Sequence, residues 1–111
     1  MSTALRAGLA AFALLALSAC SNALPEADLK GLAEEARMMA TNATIETTAI
    51  EDVHPQGIRV EADGVYIKTG SLFVTEWGFF VPLDPAFKPA EGGDPSFTPL
   101  GEGVWRYDIA G

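Results

Sequence analysis

A single cysteine, Cys20, follows an apolar run over residues 7–17 that only Gly8 interrupts. With no second cysteine in 111 residues, no intrachain disulfide can staple a small fold, so its core alone must hold it. The run is about ten residues, roughly half of what a bilayer-spanning helix requires, which argues against a permanent transmembrane segment. One positive side chain, Arg6, precedes it, and no acidic residue occurs before Glu26. A positive start, a short apolar stretch and small residues beyond it have the layout of an export signal.

The stretch ends in Leu17-Ser18-Ala19-Cys20. A leucine, two small residues and a cysteine in this order resemble the lipobox of bacterial lipoproteins at all four positions. The resemblance implies cleavage between Ala19 and Cys20 by a type II signal peptidase, a diacylglyceryl group on Cys20 through a thioether, and acylation, as by palmitate, of the new amino terminus. The thiol is the only good nucleophile present for that bond. The alternative is an ordinary thiol just past a type I site argued from Ala16 and Ser18. Ser21 stands where aspartate favours inner-membrane retention in the lipoprotein pattern, which leans toward the outer membrane.

On this reading residues 1–19 are the signal, 20–24 the lipidated cysteine with a short tether, and 25–111 one small domain. The tether reaches only about 14 Å, so the domain is expected close to the periplasm-facing membrane surface. Loss of the signal removes Arg6 and leaves six Lys/Arg against fifteen Asp/Glu, a net charge of −9. Such a domain repels phosphate backbones, so nucleic acid is not an expected partner. Anionic headgroups repel it too, and membrane attachment must come from the covalent lipid.

The spacing predicts a helix over 25–41, with Pro25 in its first turn, Asn22 or Ser21 as cap and Asn42 as stop. Leu29, Leu32, Ala33, Ala36, Met39 and Ala40 recur at three- and four-residue intervals and make one apolar face. Residues 44–50 are rich in β-branched side chains and read as a strand. Asp63-Gly64 between alternating runs predicts a two-residue hairpin turn, pairing Ala62 with Val65 and Val60 with Ile67. Gly70-Ser71 reads as a turn. A second hairpin is expected around Glu76-Trp77-Gly78, with Gly78 left-handed and large apolar groups on both faces of the strands. Residues 82–103, with five prolines and four glycines, read as one long irregular segment. Residues 104–109 alternate and read as a closing strand at an edge or beside the first, with Trp105, Tyr107 and Ile109 inward. The expected fold is α+β, one N-terminal helix on an antiparallel sheet of about four to five strands.

Three aromatic residues are candidate partner-binding positions. Trp77 would stand at a hairpin tip, where tryptophan serves as an interface anchor; the alternative folds its ring over the core edge. Phe87 and Phe97 would anchor the 82–103 segment as a structural wrap or a binding loop. His54 is the only histidine and reads as a surface loop residue. With no partner ligand for it, a zinc or catalytic role is not expected. Glu91 and Asp94 flank glycines, but one carboxylate pair makes a poor calcium site. No phosphate loop, nucleophile elbow or paired metal ligands occur, so neither cofactor nor enzymatic activity is expected. The expected role is a non-catalytic envelope lipoprotein that binds a protein as accessory or adaptor. The alternative is an inhibitor of a basic periplasmic hydrolase such as lysozyme, motivated by the acidic charge.

Overall fold

The computed structural model describes residues 22–42 and 46–110. The signal, Ala19 and Cys20 lie outside the described residues, as does part of the strand expected over 44–50. Two helices, α1 (Leu29–Ala40) and α2 (Thr48–Asp52), precede strands β1 (Gly57–Val60), β2 (Gly64–Leu72), β3 (Thr75–Pro82), β4 (Ser96–Gly101) and β5 (Val104–Ile109). The strands form one antiparallel sheet in the order β1-β2-β3-β5-β4. The class is α+β.

Helix α1 begins later than its apolar spacing predicts. Asp28, not Asn22 or Ser21, is the cap, its carboxylate accepting from the Gly31 N–H at 3.0 Å. Residues 25–28 stay out of the helix, and Leu24 and Ala27 pack against the core from there. The stop falls as expected: Asn42 is left-handed at φ 60° and its N–H donates to the Met39 carbonyl at 3.0 Å. Leu32, Ala33 and Ala36 are buried, with Leu29, Met39 and Ala40 packed beside them.

The strand expected over 44–50 is not found where the chain is described; Thr48–Asp52 is a helical turn. Glu35 on α1 explains the override. Its carboxylate accepts the Ala49 N–H at 2.8 Å and the Ile50 N–H at 3.1 Å, satisfying two orphan donors of α2. Ile50 and Val53 are thereby buried between α1 and the sheet, and tertiary packing outweighs β propensity.

Both expected hairpin turns sit elsewhere. The first is Ala62-Asp63, closed by reciprocal bonds between Glu61 and Gly64 of 2.9 and 3.3 Å. Val60 therefore faces Val65 and Ile58 faces Ile67, a slip of two residues from the expected register. An even slip leaves the paired residues 57–60 and 65–68 on the same faces, while Ala62 passes into the turn. The second turn is Phe73-Val74, and Glu76-Trp77-Gly78 belongs to β3. Gly70-Ser71 likewise lies inside β2, beside a register shift between Lys68 and Gly70. Gly78 has no positive φ; a Cβ there would collide with the Ile67 backbone carbonyl, so close strand approach requires the glycine.

Residues 82–103 are not irregular throughout, since they contain β4. Pro99 is tolerated there because β4 is an edge strand. The last strand, β5, is interior, paired with β3 and β4 and not with the first. Val65, Ile67, Phe79, Val81 and Val104 form the helix-side core. The opposite face is filled by Tyr66, Phe80 and Tyr107, with Phe87, Phe97, Trp105 and Ile109 around them. Tyr66, on the face opposite Val65 and Ile67, is therefore buried as well.

Candidate functional site

The aromatic face is built from the sheet outward. Tyr66, Phe80 and Tyr107 come from the three central strands, Tyr66 lying 4.6 Å from Phe80 and edge-on to Tyr107 at 5.1 Å between centroids. The segment after β3 folds back over them. Asp84 starts the bend, its carboxylate accepting the Ala86 N–H at 2.9 Å and its carbonyl the Phe87 N–H at 3.1 Å. This delivers Phe87 to within 5.1 Å of Phe80, 5.2 Å of Phe97 and 5.3 Å of Trp105. Phe97 in turn lies 4.9 Å from Phe80. The structure thus brings Phe87 and Phe97 together, half-buried, in the arrangement expected of a wrap over the sheet.

A polar node closes one side of this cluster. Glu76 accepts from Arg59 at 2.6 Å and from the Tyr107 hydroxyl at 2.5 Å. Burial works against the Glu76 carboxylate, but the Tyr107 and Arg59 donors outweigh it and hold its pKa below the usual value. Burial and the bond to Glu76 push the Tyr107 phenol well above its ordinary range. Tyr66 is pushed up likewise by burial and by its 2.8 Å bond to Asp63. The Arg59 guanidinium lies 5.1 Å from the Tyr66 ring centroid. Glu76 thus stays ionised and the two phenols protonated at neutral pH, and Glu76 ties Arg59 of β1 to Tyr107 of β5.

Trp77 is not at a hairpin tip. It lies within β3 opposite Gly70 and Asp108, half-buried, with its indole packed against Gly70. The tip belongs to Leu72, Phe73 and Val74, with 60, 97 and 72 % exposure. Sequence reasoning missed Phe73 because an apolar triplet reads as strand interior. The register is set by the core pairs Val65–Val81 and Ile67–Phe79, and the turn falls wherever they leave it.

An open cleft of about 310 Å³ lies at this end of the sheet, lined among others by Asn22, Thr75, Trp77, Asp94 and Asp108. Asp94 is engaged there, accepting the Ala110 N–H at 2.9 Å. Asp108 is held by Arg106 through bonds of 2.8 and 2.9 Å. Glu91 and Asp94 do not form a cup with a third ligand; among the described residues no group of three His, Cys, Asp or Glu is placed to hold a metal ion. His54 is exposed, as expected of a loop residue. No described helix is long and apolar enough to cross a membrane.

The second uncovered region is the β1 edge. Ile58 and Val60 point to the helix side of the sheet, opposite Ile67 and Val65, yet are 37 and 51 % exposed because the helices cover the neighbouring strands instead. Comparison with protein-family models, with curated proteins and with solved structures returned no match.

Proposed function

We propose that this chain is a bacterial envelope lipoprotein, anchored through lipid on Cys20, that serves as a non-catalytic accessory module docking another protein. The observation that supports docking is the β1 edge, where Ile58 and Val60 are exposed on a strand whose outer side pairs with no other strand among the described residues. A partner strand added there would gain main-chain hydrogen bonds and cover both side chains. Only four residues long, with Arg59 drawn inward to Glu76, the edge suits a short extended segment.

The test is affinity capture of the lipidated protein from native membranes beside an Ile58→Asp, Val60→Asp variant. A stoichiometric protein retained by the natural chain and lost by the variant, at unchanged thermal stability, is the expected result. Equal capture by both overturns the β1 assignment, and no stoichiometric partner at all overturns the docking role. The mature charge of −9 favours a second reading, inhibition of a basic hydrolase. Purified mature protein that leaves lysozyme turnover unchanged removes it for that enzyme.

A further inference from the structure

We infer that the β2–β3 hairpin tip, Leu72-Phe73-Val74, is a second, non-covalent contact with the bilayer that holds the lipid anchor. The inference rests on the anchored reading above and adds an orientation to it. Three consecutive large apolar side chains stand in the open, Phe73 almost wholly so at 97 %. Single exposed apolar residues are ordinary, but a contiguous group marks an interaction site. Phe73 adopts φ 56°, a left-handed conformation that bulky side chains rarely take. The register of the core pairs imposes it.

The tip stands clear of its neighbours. The pairing of β1 with β2 ends at Gly57–Lys68, and that of β5 with β3 ends at Ile109–Glu76. Residues 72–75 extend beyond both. The stretch 69–75 holds no charged residue in an otherwise acidic domain. Its polar members are neutral: Ser71 bonds Gln56 at 3.2 Å, and Thr75 bonds the Leu72 carbonyl. Glu76, Asp94 and Asp108 line the cleft behind the tip, so the contact is confined to the apolar tip itself, which suits the boundary between headgroups and acyl chains.

The location of the chain's entry decides between a bilayer and a protein pocket. Asn22 and Thr75 line the same cleft, so the described chain starts at the end of the sheet from which the tip projects. Cys20 lies two residues before Asn22, a reach of at most about 7 Å. Lipid on Cys20 would therefore enter the membrane beside the tip and bring Phe73 down onto the same surface.

The natural thiol is blocked if Cys20 carries lipid, so a Val74→Cys variant extracted from membranes offers one free thiol for an environment-sensitive NBD label. Leu83→Cys, at the opposite end of β3, is the control. In vesicles of phosphatidylethanolamine and phosphatidylglycerol, the label at 74 should shift to the blue and be quenched by brominated lipid. The label at 83 should keep its aqueous emission, and Phe73→Asp should return the label at 74 to the aqueous value. A label at 74 that stays aqueous, in protein whose intact mass shows the lipid and one label, overturns the inference. A second label, on Cys20, overturns the anchored reading and the inference with it.

Discussion

Glu76 shows how one side chain ties an edge to a core. It joins Arg59 of β1 to Tyr107 of β5 across the sheet, and its pKa is held below the ordinary 4.5. A carboxylate with a lowered folded value contributes stability that is fully present above its unfolded value and is lost as pH falls through the folded one. Glu76→Gln should therefore lower the midpoint of thermal unfolding at neutral pH and flatten its decline below about pH 4.5, measured by circular dichroism. Parallel acid limbs would contradict this. The two phenols act at the other end: their raised values make stability fall as pH rises above the ordinary 10. Gly31 gives a prediction whose sign the structure reverses. Helix propensity alone assigns Gly31→Ala a gain of about 1 kcal/mol. The added Cβ would lie 2.9 Å from the Ala49 Cβ and 2.5 Å from Asp28 Oδ2, so a net loss of about 1–2 kcal/mol in denaturant unfolding is expected.

At the scale of elements, α2 exists through its neighbour. Five residues are too few to hold a helix in water, and Glu35 supplies the missing acceptor for two of its backbone donors. Glu35→Ala should cost about 1–2 kcal/mol and raise amide exchange at Ala49 and Ile50 first, with the sheet amides protected as before. This element was illegible in the sequence, because Thr47, Thr48 and Ile50 point to a strand and Glu35 lies fourteen residues before the first amide it caps. Elements with a local periodicity were legible: the apolar face of α1, its stop at Asn42, and the strands β2 and β5. The turns were not. Asp63-Gly64 carries the stronger local signal, yet the core pairs fix the register and the chain turns at Ala62-Asp63 and Phe73-Val74 instead. That displacement moved the exposed tip from Trp77 to Phe73, and the Trp77 ring lies over Gly70, as in the alternative given for it. Phe87 and Phe97 were legible as anchors of the 82–103 segment, because large aromatics in a Pro/Gly-rich segment need apolar cover; whether that segment wraps or binds was not legible.

For the whole molecule, two unlike layers share one sheet. Helices cover one face, a folded-back segment carrying Phe87 covers the other, and no cross-link is needed because both faces of the central strands are filled. Among the described residues, apolar side chains stand exposed in groups at the β1 edge and the β2–β3 tip, with Met38, Leu83 and Leu100 exposed elsewhere. The tip lies at the end of the sheet where the described chain begins; as proposed, it meets the membrane and leaves the β1 edge for a protein. This division of labour depends on lipid at Cys20. The most direct measurement is the intact mass of the protein extracted from envelopes. The account predicts a chain that starts at Cys20 and carries the added mass of a diacylglyceryl group and an amide-linked acyl chain. A chain with a bare Cys20 thiol, whatever its starting residue, would contradict it.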